Sequence, residues 1–429
     1  MNRLVRAAAQ RVHYAWVVLG VTFVALLATA ALRSAPSVLI VPLEHSFGWS
    51  IATISAAISV HLGLYGFLGP FGAALMQRFG IRRTALCALV LVVAAVMASS
   101  FITAPWQLVL TWGVLVGTCC GLVAPVFGAT IVNRWFVERR GLAMGIVSSS
   151  SATGQLLFLP PLAAVATTVG WRPAIWIVAA AMVAVIPLVA FLLPEDPAQL
   201  GLAPYGDSSD ARPPARATAN PLLVSFSALG RAVRSGNFWL LFASFFVCGA
   251  SANGLVGTHL IPFCADHGIP QVTAAGALAA IGAFTILGTT FSGWMSDRYD
   301  NRVLLMFFYG FRGLSLIYLP YSDFSFGTLT IFALFYGLDY FATVPPTLRL
   351  LTDTFGRTDA PVVYGWVFAG HQVGAASVAL LAGVMRSDLG SYFLPFVLSG
   401  LLCLGAAMLV LLIGRTPRGA GTPSLEPAA

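Results

Sequence analysis

Two blocks of six apolar runs, separated by one long polar stretch, dominate this sequence of 429 residues. An α-helix of about 20 residues crosses a hydrocarbon core about 30 Å thick, and each run is long enough to do so. Because backbone polar groups in lipid must be satisfied internally, the pattern predicts an all-α membrane protein with 12 transmembrane helices. Predicted helices 1 to 12, in order, cover residues 14–43, 51–75, 84–103, 107–132, 140–167, 172–193, 238–263, 272–294, 303–321, 326–350, 361–385 and 391–414.

The amino-acid composition excludes a soluble protein. Hydrophobic residues make up 58% of the chain and charged residues only 9%, whereas a soluble domain carries about 25% charged residues. The surface of the folded chain must therefore face lipid. The net charge of +8 does not indicate nucleic-acid binding, because all 23 basic residues are arginines that lie mostly at the ends of the apolar runs. Membrane proteins hold their orienting charge at those positions.

The arginines are distributed asymmetrically between the two sides of the membrane. If the N-terminus is cytoplasmic, most of the loop arginines fall on the cytoplasmic side, and the opposite side receives little beyond Arg172 and Arg386. By the positive-inside rule, both termini and the central polar stretch are then cytoplasmic. The short loops and the lack of a processing signal favour a multi-pass protein of a bacterial inner (plasma) membrane.

The central polar stretch divides the chain into two halves with the same rhythm. It is rich in proline, aspartate, serine and arginine, which is typical of a solvated linker. Positions 220 residues apart carry related features in the two halves, such as Gly154 and Gly374. We therefore expect an N-terminal six-helix bundle in 1–193, a cytoplasmic linker in 194–236, and a C-terminal six-helix bundle with a short cytoplasmic tail in 237–429.

A short motif recurs at the same place in both halves. Between predicted helices 8 and 9 the sequence is Gly-Trp-Met-Ser-Asp-Arg, ending at Asp297 and Arg298. This segment resembles the loop motif of the major facilitator superfamily, in which Asp-Arg follows a glycine by four residues. The copy between predicted helices 2 and 3 keeps Arg78 but has Gln77 where the family usually has aspartate. The resemblance implies that these four residues have a structural or gating role, because the loop latches neighbouring helix ends in that family.

A second stretch is similar to one branch of the same family. Residues 135–145, with the sequence WFVERRGLAMG, resemble the helix 4–5 region of the monocarboxylate and oxalate–formate branch. The resemblance implies two pseudo-symmetric six-helix bundles, the major facilitator fold, with helices 1, 4, 7 and 10 lining a central cavity. The branch often places a charge in helix 8, where this chain has none. The oxalate–formate type carries a lysine in helix 11, where this chain offers His371.

Arg33 lies in the outer half of predicted helix 1. A charge at membrane depth costs at least about 2.5–3.5 kcal/mol on insertion scales, so such a residue faces the protein interior or water. A guanidinium can hold a carboxylate with two parallel hydrogen bonds, which favours binding of an anionic substrate. The alternatives are an arginine that extends to lipid headgroups, or one that pairs with Glu44 at the end of the same helix.

Asp339 and Arg312 are opposite charges at similar depth in predicted helices 10 and 9. A carboxyl group buried in a transporter can carry a proton, and we assign Asp339 to proton coupling on this ground. If the two side chains pair, Asp339 stays ionised and the pair is structural. Both interpretations remain open, and Arg312 by itself is assigned a structural role.

Five further polar residues within apolar runs are candidates for substrate binding. His371 and Gln372 in predicted helix 11 can both form hydrogen bonds with a carboxylate. His61 and Tyr65 are four residues apart and share a face of predicted helix 2. Asn253 in predicted helix 7 lies 220 residues after Arg33 and is its repeat partner. For each of them the alternative is an ordinary hydrogen bond between helices.

These residues favour a secondary transporter of small organic anions of the monocarboxylate type, coupled to protons and working by alternating access. The alternative within transport is an efflux pump for amphipathic or drug-like compounds, which the aromatic content allows. An enzyme or a sensor would need clustered ligands or a nucleophile with a base, and the polar residues here are isolated on separate helices. We expect no cofactor and no metal, and a monomer whose partners are an organic anion, protons and membrane lipid, without nucleic acid.

Overall fold

Twelve membrane helices form the molecule in the computed structural model, which describes residues 13–206 and 221–414. The first six are α1 (Tyr14–Phe47), α2 (Ile51–Phe67, continued as Gly69–Phe79), α3 (Ile81–Ser99), α4 (Pro105–Trp135), α5 (Arg140–Thr168) and α6 (Trp171–Leu192). The other six are α7 (Gly236–Asp266), α8 (Gln271–Ser296), α9 (Asn301–Tyr318), α10 (Phe326–Gly356), α11 (Asp359–Leu389) and α12 (Phe393–Leu409).

The predicted fold class is confirmed. Eleven of the described helices are long and apolar enough to cross a membrane by themselves. The remaining one, α2, reaches that length through its two segments, which meet at Leu68. We call the side that carries the α1–α2 turn at Gly48 the outer end, and the side that carries Tyr14 and Leu193 the inner end. These names follow the orientation predicted from the arginines.

Three of the described helices are irregular within their length. The segments Val109–Val116 of α4 and Ala250–Val256 of α7 are wound as π-helix, which is frequent at functional sites. In α10 the first segment ends at Tyr340, and a second begins just before Pro345 and Pro346. Because proline has no N–H group, it interrupts the helical hydrogen bonds and leaves carbonyl groups of the preceding turn without their usual partners.

Among the described residues, the two bundles meet mainly through three helix pairs, which are α2 with α11, α5 with α8, and α1 with α7. Glycine allows the closest of these contacts, because a Cβ atom on Gly66 of α2 would collide with Gln372 of α11. The hydroxyl of Ser59 donates across the same interface to the carbonyl of Ala376, at 2.7 Å. Backbones that approach this closely are typical of helix packing in membranes.

The buried apolar core shows where the bundles separate. One large cluster includes helices of the first half together with the outer and middle parts of the second half. A second cluster contains, among the described residues, only side chains at the inner end of the second half and in the linker, including Phe238, Phe245, Leu351 and Val363. The bundles therefore share a core toward the outer end and have separate cores toward the inner end.

The predicted linker contains a helix that the sequence analysis missed. The linker helix, Pro221–Ala232, lies directly before α7, and residues 207–220 of the predicted linker lie outside the described residues. Its Arg231 forms an exposed ion pair with Asp359 at 2.7 Å. The indole of Trp366 donates to the backbone of the linker helix at 3.1 Å. These contacts hold the linker helix against the inner end of α11.

Candidate functional site

A cavity of about 160 Å³ lies inside the first half, between α1, α2, α4 and α5. Three of the predicted site residues line it, namely Arg33, His61 and Tyr65. The cavity extends from these side chains toward the inner end, where Met144 is exposed. The other lining residues are Leu26, Thr29, Ala30, Cys120, Gly128, Ala129, Val147, Ser150 and Ser151.

Arg33 is half-buried at this cavity and has no acidic partner among the described residues within 4.0 Å. Its guanidinium lies over the ring of Tyr65, 5.8 Å from the ring centre, which is a cation–π arrangement. The predicted alternative of a pair with Glu44 does not form. Glu44 lies instead in electrostatic range of Arg386 from α11. The positive charge of Arg33 is therefore available to a ligand in the cavity.

His61 is 1% exposed, and its two ring nitrogens differ in their surroundings. Nδ1 lies 3.4 Å from the carbonyl oxygen of Trp112 in the π-helical segment of α4. Nε2 has no hydrogen-bond partner among the residues that the structure describes. Glycine makes this position possible, because a Cβ atom on Gly117 of α4 would lie only 2.9 Å from the Cα atom of His61.

Hydroxyl groups of α1 and α5 complete the polar lining, and the sequence analysis did not identify them. Thr29, Ser150 and Ser151 all line the cavity. The hydroxyl of Ser150 donates to the carbonyl of Val147 at 2.6 Å, and that of Thr29 to Leu26 at 2.7 Å. The four consecutive serines at 148–151 were the available signal. Consecutive residues of a helix point to different sides, so the sequence could not show which of the serines face a cavity.

His371 and Gln372 lie beside the interface between the halves, at 2% and 1% exposure. Gln372 packs against Gly66, the neighbour of Tyr65, and its Oε1 atom has no described partner. Nδ1 of His371 also has none, and its ring contacts Phe245 with 4.9 Å between ring centres. These two residues do not line the cavity of the first half, but Gln372 packs against α2 next to Tyr65, which does line it.

Asn253 lies in the π-helical segment of α7, where its Oδ1 accepts a hydrogen bond from the hydroxyl of Tyr340 at 3.0 Å. One turn earlier, the hydroxyl of Tyr336 donates to the carbonyl of Ser251 at 3.0 Å. Both contacts connect α10 to the irregular segment of α7. The candidate Asn253 is therefore held by its own bundle, unlike its repeat partner Arg33.

Arg312 and Asp339 form a buried ion pair, with Nε 2.5 Å from Oδ2. The structure thus contains the pair that the sequence analysis left open as one of two interpretations. Arg312 also donates to the carbonyl oxygens of Asp339 and Tyr340, at 2.8 and 3.0 Å, and to the sulfur of Cys248 at 3.0 Å. The two carbonyls lie where α10 is broken, so Arg312 supplies hydrogen bonds that the interrupted helix lacks.

The loop-motif residues occupy the inner end. Arg298 stacks on Trp294, 4.3 Å from its ring centre, and Arg78 lies over Phe79 at 5.4 Å. Asp297 is exposed and directly follows the last residue of α8. The side chain of Gln77 lies outside the described residues.

Glu195, which the sequence analysis missed, binds the start of α3 in the first half. Its carboxylate accepts hydrogen bonds from the backbone N–H groups of Ile81 at 2.5 Å and Arg82 at 3.1 Å. A carboxylate at a helix N-terminus is stabilised by the free N–H groups and the helix dipole. In the second half, Arg302 near the start of α9 donates to the carbonyl of Ile413 at 3.1 Å. Each third helix is thus tied to the end of the last helix in its bundle.

Comparison with known proteins decides the family. The family model of the Major Facilitator Superfamily matches residues 21–348 and, in a second overlapping match, residues 286–428. The chain belongs to this superfamily. The predicted resemblance to its monocarboxylate branch is also confirmed.

Relatives match over most of their length. The chain is 26% identical over 419 residues to the uncharacterized MFS-type transporter YcxA of Bacillus subtilis, covering 93% of this chain and 94% of that protein. It is 27% identical to monocarboxylate transporter 13 of Rattus norvegicus, covering 92% and 88% of the two chains. A crystal structure of a bacterial homolog of the human lysosomal transporter Spinster, inward-facing and unoccupied, has the same fold, with a TM-score of 0.72 at 15% identity over 94% of this chain and 97% of that one.

Proposed function

We propose that this membrane transporter carries small organic anions of the monocarboxylate type, together with a proton, by alternating access. The observation that carries the proposal is the guanidinium of Arg33, which faces a cavity and has no described acidic partner. An arginine in a site of low dielectric binds a carboxylate through charge-assisted hydrogen bonds. The similarity to proteins named as monocarboxylate transporters supports the same substrate class.

The size of the cavity favours this substrate class over the alternative of amphipathic efflux. Pockets for drug-sized ligands have volumes of about 300–1,000 Å³ and mostly apolar walls. The cavity here is about 160 Å³ and has arginine, histidine and hydroxyl groups in its wall. A ligand with one carboxylate and a short carbon chain matches that volume and that lining.

The division of the core supports an alternating-access cycle. The bundles share one apolar core toward the outer end and have separate cores toward the inner end. This arrangement corresponds to a state open to the inner side, and rocking of the halves would open the outer side instead. We further propose that the inner side is the cytoplasm of a bacterium, that both termini lie there, and that the transporter works as a monomer with the domain boundaries predicted above.

Proton coupling requires a group that binds and releases a proton during the cycle. The sequence prediction gave this role to Asp339. Its ion pair with Arg312, and the further hydrogen bonds of Arg312 to the broken helix, favour the structural interpretation of the pair. The loop-motif residues Gln77, Arg78, Asp297 and Arg298 keep their proposed gating role.

Uptake by reconstituted liposomes tests the proposed substrate class. Radiolabelled acetate, lactate and pyruvate are supplied with and without an inward proton gradient, and protein-free vesicles give the background of passive diffusion. We expect protein-dependent uptake that Arg33→Gln lowers at least about tenfold, corresponding to about 1.4 kcal/mol of binding free energy. Arg234→Gln, at an exposed position after the linker helix, is the matched control and should transport normally. Absence of protein-dependent carboxylate uptake, or full activity in Arg33→Gln, would refute the proposal.

A further inference from the structure

A buried imidazole with one unpartnered nitrogen lies at the cavity beside Arg33, the only charged side chain among the described residues that line it. His61 and Arg33 face the same space, and Arg33 is in electrostatic range of the imidazole. Nε2 of His61 is buried and lacks a described partner. A buried polar atom without a partner costs free energy, so its persistence at a cavity wall indicates a ligand that would supply the missing bond.

The contact with the Trp112 carbonyl indicates which nitrogen of the neutral His61 ring carries the hydrogen. A carbonyl oxygen can only accept a hydrogen bond, so Nδ1 carries the hydrogen in its contact with the Trp112 oxygen. A neutral imidazole has one hydrogen, which leaves Nε2 with a free lone pair. In this tautomer Nε2 can accept a proton.

The groups around His61 include no described carboxylate. Arg33 of α1 lines the same cavity, and α4 contributes Cys120 and the Trp112 carbonyl. Tyr65 lies on α2 itself, with 6.4 Å between the centres of its ring and the imidazole. From α11, the imidazole of His371 lies in electrostatic range of Arg33. The polar groups that α5 adds to the cavity are the hydroxyls of Ser150 and Ser151. A negative charge for a protonated His61 must therefore come from the transported ligand.

We propose that His61 carries the proton that accompanies the organic anion. A hydronium ion gives its proton to the Nε2 lone pair, so that one O–H bond breaks, one N–H bond forms and water is released. The carboxylate of the substrate lies between the resulting imidazolium and the guanidinium of Arg33. No other bond forms or breaks. On the opposite side of the membrane the proton returns to water and the carboxylate leaves.

Electrostatic interaction couples the protonation of His61 to the binding of the anion. Two adjacent positive charges repel each other strongly in a site of low dielectric, so a protonated His61 is unfavourable while the cavity is empty. An anion between the two cations removes this repulsion and replaces it with attraction. The proton and the anion therefore promote the binding of each other, as thermodynamic linkage requires.

This inference rests on the proposed function, and transport by His61→Gln separates the two. An electroneutral symporter can accumulate its substrate up to about tenfold for each unit of an inward pH gradient. We expect the accumulation by His61→Gln in a proton gradient to fall to the level that is seen without a gradient. The variant should still exchange labelled for unlabelled carboxylate. His267→Gln, at the outer end where the ring stacks on Phe324, is the matched control and should accumulate normally.

The outcomes distinguish the two proposals. If the wild-type protein transports no carboxylate, the proposed function is wrong, and the role of His61 is wrong with it. If the wild-type protein accumulates carboxylate and His61→Gln does so to the same level, only the role of His61 is wrong. Loss of accumulation with retained exchange in His61→Gln supports both proposals.

A second measurement does not depend on the folding of a variant. Wild-type protein labelled with nitrogen-15 at histidine is titrated with lactate in lipid vesicles, and the imidazole signals are followed by solid-state NMR. The signal of a buried ring with Nδ1 protonated should change to that of an imidazolium when lactate is added. Histidine signals that do not respond to lactate, in protein that transports lactate, would overturn the assignment of the proton to any histidine, including His61.

Discussion

The two halves of the molecule follow one helical plan but use their polar side chains differently. In the first half, Arg33 and His61 face a cavity, and neither has a full set of partners within the protein. In the second half, Arg312 is fully buried and bonded to Asp339, and Tyr340 is bonded to Asn253. At these positions the first half leaves groups available for a ligand, whereas the second half uses its own to hold its helices. The unpartnered atoms of His371 and Gln372 lie in α11, the helix of the second half that packs against α2.

Because of this difference, the charged side chains of the two halves are stabilised in different ways. In the second half each buried ion of the pair has an opposite charge beside it, which offsets part of its desolvation cost, and Arg312 also binds the carbonyls of a broken helix. Arg33 stays half-buried beside a cavity, where water or an anion can solvate it. Removing a charge should accordingly disturb stability in the second half and transport in the first.

The largest effect is expected for Arg312→Met. It leaves Asp339 as a buried charge without a partner, and we expect the free energy of unfolding to fall by about 3–5 kcal/mol. Chemical unfolding in detergent micelles measures this change. The double variant Arg312→Met with Asp339→Leu should recover part of the loss, because it removes the unpaired charge. Arg33→Met should change stability by less than about 1 kcal/mol, and an equal loss in both single variants would break the comparison.

The next effect concerns the glycines that allow close packing. A Cβ atom on Gly249 of α7 would collide with the carbonyl of His371, so Gly249→Ala should lower the free energy of unfolding by about 1–3 kcal/mol. Gly276→Ala is the matched control, because nothing lies within 4 Å of its new methyl group. Gly117→Ala in the first half displaces His61. We expect this variant to lower carboxylate accumulation by a larger factor than Gly249→Ala does, and to lower the free energy of unfolding by less. Thermal unfolding and liposome uptake on the same preparations test both statements.

A smaller effect is expected for Tyr340→Phe. It removes the hydrogen bond to Asn253 and should lower the free energy of unfolding by about 0.5–1.5 kcal/mol. If the second half serves mainly its own structure, the KM for lactate should stay within about twofold of the wild-type value, which is less than about 0.5 kcal/mol. A much larger change in KM would place Asn253 in contact with the substrate and contradict the division between the halves.

The smallest expected effect on stability concerns the outer ends of α4 and α10, where one helix start is bound by an amide and the other by a carboxylate. Before α10, hydrogen bonds from the Thr328 hydroxyl and the Ser325 backbone hold the pKa of the Asp323 carboxyl below its usual value. In the first turn of α4, the uncharged Gln107 accepts a hydrogen bond from the backbone N–H of Thr103 at 2.7 Å.

These hydrogen bonds stabilise the ionised form of Asp323. The stabilisation is complete above the unfolded-state pKa of about 4 and is lost as the pH falls through the lower folded-state pKa. We therefore expect a slight fall of the melting temperature of wild-type protein between pH 5 and pH 3 that is absent in Asp323→Asn, measured as the difference between the two proteins. Identical melting curves across this range would show that the contact has no effect on stability.

The fold was predictable from the sequence because lipid leaves few structural options. The apolar runs predicted each membrane helix to within a few residues, since a run of that length in lipid can only be a helix. The linker helix was missed because its proline and arginine residues are also typical of a solvated connector. Its apolar contacts with α11, such as that of Phe226 with Trp366, form only after folding.

The candidate site was predictable only where a residue type is unusual at its depth. Arg33 and His61 stand out in apolar helices, whereas Ser150 and Cys120 do not, because small polar residues are common in helix packing. The function of a charge was harder to predict than its position. Whether Asp339 pairs with Arg312 depends on the rotation of two helices, and the sequence alone does not give that rotation.

The buried pair of Arg312 and Asp339 also has an evolutionary consequence. A change in either residue alone leaves an uncompensated charge, so these positions can change only together or through an unstable intermediate. Arg33 and His61 are bound to no other charged residue among the described ones, and each can be exchanged singly with little harm to folding. New substrate preferences should therefore arise in the first half, while the second half preserves an inherited framework.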